Sequence, residues 1–84
     1  MAKIIKASGE FVAIEPENGK DFSLEELQSI VGGYIEIVYL SDGSLMVVNE
    51  EGLLKELPYN PVASGIAGFY IVGDVLLCKE NQMR

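Results

Sequence analysis

Two β-prone runs, Tyr34 to Leu40 and Ser44 to Asn49, flank Ser41-Asp42-Gly43, and nothing else in this chain restricts its fold as strongly. Asp-Gly between such runs is a strong hairpin signal, because both residues tolerate the positive φ that a type I′ turn requires. In the first run Ile35, Ile37 and Tyr39 share one face, and Tyr34, Glu36, Val38 and Leu40 the other. Both faces are largely apolar, which predicts a central strand covered on each side by the helix, another sheet or another subunit.

Shorter elements surround this hairpin. Lys3 to Ala7 and Phe11 to Ile14 are β-prone and separated by Ser8-Gly9-Glu10, which predicts an opening hairpin. Pro16 to Lys20 is a loop with Asn18-Gly19 at its centre. Ser23-Leu24-Glu25-Glu26 is a capping box: the Ser23 hydroxyl can accept from the Glu26 amide while the Glu26 carboxylate reaches back to the Ser23 amide. Phe22 and Leu27 can form the hydrophobic staple, and Leu24, Leu27, Ile30 and Val31 form one apolar stripe. A helix of about two turns is therefore expected over 24–31, ended by Gly32-Gly33.

The second half is less regular. Glu50-Glu51-Gly52 reads as a turn, and 53–57 as a short strand in preference to a helical turn. Pro58-Tyr59-Asn60-Pro61 reads as a loop, because neither proline has an amide to donate. The last apolar stretch, 67–78, contains Gly73-Asp74 as a tight turn or a bulge. The expected fold is a single small α+β domain over 1–84, a mostly antiparallel sheet of five to six short strands with one short helix.

Composition excludes several functions. The net charge of -7 repels phosphate backbones and anionic headgroups, so neither direct nucleic-acid binding nor membrane binding is expected. Between Lys20 and Lys55 lie seven acids and no base, an anionic span suited to a basic partner or to solubility alone. There is no histidine, which removes the usual triads, His-ligated zinc and the commonest neutral-pH base. The single cysteine, Cys78, lies in an apolar run and reads as a buried inert thiol, consistent with a reducing cytoplasm. The N-terminal residues lack the apolar run of a secretory signal, and no cofactor or metal is expected.

Candidate site residues are polar groups set in apolar strands and turns. Glu36, between Ile35 and Ile37, stands either at a sheet edge, where a charge blocks aggregation, or at a site where burial would raise its pKa. Asn49, Glu50 and Glu51 place oxygens at a strand end, without the spacing of a calcium loop. The four tyrosines lack interleaved bases and read as core and interface residues.

The blocks 30–36 (Ile-Val-Gly-Gly-Tyr-Ile-Glu), 49–52 (Asn-Glu-Glu-Gly), 57–60 (Leu-Pro-Tyr-Asn) and 71–74 (Ile-Val-Gly-Asp) resemble the small proteins grouped as domain of unknown function 3846. The resemblance covers roughly Leu24 to Leu77 and implies a phage or mobile-element setting, with no catalytic residue carried over. Gly33, Glu36, Asn49, Glu50, Gly52 and Asn60 match its pattern. All of these but Gly52, together with Tyr34 and Glu51, give the candidate interaction residues Gly33, Tyr34, Glu36, Asn49, Glu50, Glu51 and Asn60.

The expected function is a non-enzymatic interaction module that self-associates, most simply as a dimer, because one two-turn helix cannot cover a strand apolar on both faces. A rival expectation is an acidic decoy for a basic host protein that binds nucleic acid or acts in defence. Another is a small-ligand binder with Glu36, Asn49 and Asn60 as polar anchors in one apolar pocket.

Overall fold

A computed structural model describes residues 2–83. Five strands, β1 (Ala2–Ile5), β2 (Phe11–Ile14), β3 (Ile35–Tyr39), β4 (Ser44–Asn49) and β5 (Val75–Lys79), form one sheet in the order β2-β1-β5-β4-β3. Every neighbouring pair is antiparallel. Helix α1 (Leu24–Val31) follows β2, helix α2 (Pro61–Ala67) precedes β5, and a 3₁₀ turn (Glu80–Gln82) ends the described chain. The α+β class and the antiparallel sheet agree with the sequence expectation.

Both expected hairpins form, the second with a turn other than the expected one. Lys6 N–H donates to the Glu10 carbonyl and Gly9 N–H to the Lys6 carbonyl; Leu40, Gly43 and Ser44 repeat the pattern. Each loop thus has three residues, and only its glycine takes positive φ, Gly9 at 95° and Gly43 at 88°. This is the arrangement of a G1 bulge, in which Asp42 keeps an ordinary φ, rather than the type I′ turn expected at Asp42-Gly43.

Helix α1 begins and ends as its signals predict. Ser23 Oγ accepts from Glu26 N–H at 3.2 Å, a Glu26 carboxylate oxygen accepts from Ser23 N–H at 2.8 Å, and Gly32 closes the helix at φ 81°. Leu27 and Val31 are buried, and burying each contributes roughly 1.5–3 kcal/mol. Leu24, expected on the same stripe, is exposed. Helical side chains tilt toward the N-terminus, so a residue in the first turn projects beyond the surface its later neighbours cover.

The largest departure is α2, in a segment read as loop and undefined chain. Asn60 caps it by accepting from Ala63 N–H at 3.0 Å, Pro61 occupies its first turn, and Gly68 closes it at φ 84°. Proline at that position loses no helical hydrogen bond, so the Asn-Pro pair that signals a break also starts a helix. The 53–57 segment is likewise a helical turn and not a strand: Lys55 N–H donates to the Glu51 carbonyl and Glu56 N–H to that of Leu53. Glu56 closes it with φ 54°. Gly73, at φ 78°, makes a turn leading into β5, where Asp74 accepts from Ala7 N–H at 3.0 Å.

The two helices lie on opposite faces of the sheet. On one face Phe22, Leu27 and Val31 pack with Ala2, Leu45, Val47, Leu76 and Cys78. On the other, Ala63 and Ile71 pack with Ile5, Met46, Val48 and Val75. Every residue of β4 is buried because both faces are covered by its own chain. The expectation of a central strand covered on both faces is thus met by β4, whereas β3 is an edge strand. Helix α2 thus supplies for β4 the second cover that the sequence left to another sheet or subunit, while β3 stays partly open on the same face.

Candidate functional site

Beside the β3 edge, on the α2 face, runs a groove of about 530 Å³. Glu36, Val38 and Val48 line its floor, Leu53 and Leu54 one wall, and Phe69 and Tyr70 another. Leu53 and Leu54 are 70% and 84% exposed, far more than aliphatic side chains in a closed core. Tyr70 stacks on Tyr59, ring centroids 4.9 Å apart and planes 16° from parallel, a ring contact within this wall.

The wall residues are positioned by hydrogen bonds behind them. Tyr59 and Val72 form an isolated antiparallel bridge, and Gly73 N–H donates to the Pro58 carbonyl at 2.7 Å. Ile71 N–H donates to Ser64 Oγ at 2.8 Å, which ties the groove wall to α2. On the other side Leu57 N–H donates to the Gly52 carbonyl at 3.0 Å and fixes the turn carrying Leu53 and Leu54.

The candidate residues converge on one corner of the molecule, with one exception. Glu36, Asn49 and Glu50 line the groove; Gly33, Tyr34 and Glu51 line an adjoining notch with Lys55. Glu51 and Lys55 approach to 3.9 Å across that notch, an exposed pair worth at most about 1 kcal/mol. Glu36 itself is exposed at the sheet edge, the first of the two placements its sequence context allows.

Asn49 joins two of the sequence blocks. Its Nδ2 donates to the Val31 carbonyl at 3.0 Å, satisfying an orphan acceptor at the end of α1, and its Oδ1 accepts from Glu51 N–H at 2.8 Å. The glycines of these blocks pack closely here. A Cβ on Gly33 would lie 3.0 Å from Asn49 Nδ2, and one on Gly52 2.7 Å from Val72 Cγ2. Asn60 is the exception: fully buried at the start of α2, its carboxamide bonds to Ile5, Gly73 and Ala63. Glu36, Asn49 and Asn60 therefore do not form one anchored pocket, as both amides are committed to their own chain.

Of the two roles expected for the tyrosines, core and interface, the structure removes the first. Tyr34, Tyr39, Tyr59 and Tyr70 are all exposed, and none belongs to the core. The groove's main apolar residues, Leu53, Leu54 and Phe69, were not singled out by sequence. Their only signal is a Leu-Leu pair after two acids and a Phe-Tyr pair after a glycine, which does not distinguish burial from display.

Cys78 is buried, and that burial pushes its thiol pKa up to about 11. Among the described residues no group of three or more Cys, Asp or Glu side chains is disposed to hold a metal ion. No helix of the described residues is long and apolar enough to cross a membrane.

The structure thus defines a small α+β domain that displays an apolar groove along the open edge of its sheet. Residues 3–83 match the family described as domain of unknown function 3846, and the chain belongs to that family. The match extends to the opening hairpin, beyond the part of the chain that carried the sequence resemblance. No curated protein and no solved structure matches the chain.

Proposed function

We propose that this protein is a non-enzymatic interaction module whose contact surface is the groove between β3, the 50–54 turn and the 69–72 segment. One observation carries this reading: Leu53, Leu54, Phe69 and Tyr70 are at least half exposed and surround a single groove. Grouped apolar exposure of this kind is what a docking surface supplies and what an isolated soluble domain otherwise avoids. Aromatic side chains that already stack in the free protein have less entropy to lose when a partner binds. The cytoplasm of a bacterial host of phage or mobile elements is the setting proposed with it, supported by the family resemblance and by a single, buried cysteine, Cys78.

Panning a displayed library of random linear peptides against the folded protein tests this reading. Enrichment on the wild type that disappears on Leu54→Glu supports it. Leu54 is so exposed that this variant should fold normally. Equal enrichment on both, or none on either, counts against it.

Self-association is a second reading, favoured by the two open edges, β2 and β3. Light scattering at micromolar concentration decides it, and a monomer at every concentration removes it.

A further inference from the structure

The β3 ladder shows which peptide groups its free edge offers. Glu50 N–H donates to the Tyr34 carbonyl at 2.9 Å and Leu40 N–H to the Ser44 carbonyl at 3.0 Å. In the register Glu36↔Val48 and Val38↔Met46, the even-numbered residues therefore direct their peptide groups toward β4. Alternation turns the N–H and C=O groups of Ile35, Ile37 and Tyr39 outward. Among the described residues no other strand lies beyond them and no backbone hydrogen bond forms on that side.

The groove beside this edge has one sign of charge. Among the described residues Glu36 and Glu50 line it, and no Lys or Arg does. A second copy of the chain fits poorly. It carries the same net charge of -7, and a two-fold contact would bring together two grooves of the same charge sign. Addition of β2 of one copy to β3 of the next would instead leave free ends and build a filament of accumulating negative charge.

We infer that an extended partner segment carrying alternating basic and apolar side chains on one face adds to β3 as a further strand. Its backbone pairs with the outward groups of Ile35, Ile37 and Tyr39. On the groove face a Lys or Arg lies beside Glu36, and an apolar residue two positions along lies beside Val38, between the walls made by Leu54 and Phe69. Backbone pairing supplies sequence-independent affinity, while the Glu36–Val38 alternation selects the segment. This inference rests on the interaction-module reading and adds to it the chemistry and conformation of the partner.

The probe is an acetylated, amidated peptide of repeated Thr-Lys-Thr-Val, compared with the same peptide carrying glutamate for lysine. Binding is followed by fluorescence anisotropy. The lysine peptide should bind about tenfold or more tightly than the glutamate peptide, with the difference shrinking at high salt. N-methylation of one alternate set of its amides should abolish binding, and methylation of the other set should leave it intact. Glu36→Gln should weaken the lysine peptide by about fivefold, in the range of a single rim charge pair.

Tyr39→Pro separates strand pairing from folding. The side chain is 72% exposed, its N–H points outward, and an edge strand tolerates proline there. Binding should fall about tenfold, the worth of a pairing hydrogen bond and its neighbours, with Tm near that of the wild type. Equal affinity for both peptides, or indifference to both methylation patterns, overturns the inference. So does a dimer or filament whose β3 amides are protected from exchange, because it places a second copy in the groove. Failure of both peptides alongside groove-dependent enrichment in the panning experiment removes strand addition and leaves the interaction module standing.

Discussion

The Asn60 carboxamide donates to the carbonyl of Ile5 at 2.9 Å, joining the first residue of the α2 cap to the end of β1 across 55 positions of sequence. The same Nδ2 donates to the Gly73 carbonyl at 2.8 Å, while Oδ1 caps the helix on Ala63 N–H. One fully buried side chain thereby holds α2, the turn before β5 and the opening hairpin together.

Asn60→Ala should consequently cost about 3 kcal/mol, combining loss of an N-cap with removal of the Asn60 donor from two buried carbonyls. Urea denaturation followed by circular dichroism measures it. Asn60→Asp keeps the capping oxygen but sets a carboxylate against two carbonyls, and should be at least as destabilising at neutral pH. A midpoint unchanged in both variants would remove the tie as a determinant of stability.

Glycine substitutions should diverge in sign. Gly65 lies inside α2 with open space where a Cβ would go, so Gly65→Ala should stabilise by about 0.5–1 kcal/mol. Gly73 takes φ 78°, and its Cβ would lie 2.8 Å from Leu57 Cδ1. Gly73→Ala should destabilise by about 1–3 kcal/mol through backbone strain and the collision. Thermal melts of the two variants should shift in opposite directions.

Asp42 should titrate below its ordinary value of 3.8, chiefly because the Ser44 hydroxyl donates to its Oδ1 at 2.5 Å, and next because Ser44 N–H donates to the same oxygen at 2.9 Å. A carboxylate whose pKa is lowered by folding adds stability above its unfolded pKa, and that contribution is lost as pH falls through the folded value. The window therefore lies below 3.8. Carboxyl chemical shifts followed with pH should show the Asp42 pKa rising in Ser44→Ala.

Cys78 should resist a thiol reagent such as Ellman's in the native protein near pH 8, because burial both excludes the reagent and keeps the thiol protonated. Labelling in increasing urea should follow the global unfolding curve. Fast reaction of the folded protein would show that β5 opens locally instead.

Local signals were read from sequence wherever the interacting groups are near neighbours in the chain. The α1 capping box, the Gly32 stop, and the 3–14 and 34–49 hairpins each depend on groups a few residues apart, and each appears in the structure. Most of the candidate site could be located for a related reason. Glycines and polar residues inside apolar strands mark a close approach or an edge, and the Gly33 and Asn49 blocks are neighbours in space. The groove walls could not be found this way, because Leu53, Leu54 and Phe69 have the composition of core residues, and only the surrounding chain determines that they face water.

The amino-acid order alone determined the class of the fold, the boundaries of α1 and the pairing of each hairpin, since short-range hydrogen bonds and side-chain alternation suffice for these. Tertiary structure decided the rest. The last strand, β5, inserts between β1 and β4, which puts β4 inside the sheet, where chain packed on each face buries it, and leaves β3 at the edge, although both carry apolar residues in quantity. Helix α2 has only seven residues and a glycine in its interior, too short to persist by local propensity. It exists because Asn60 bonds to Ile5 and Gly73 and because Ala63 packs on the sheet, contacts made only after distant segments have met.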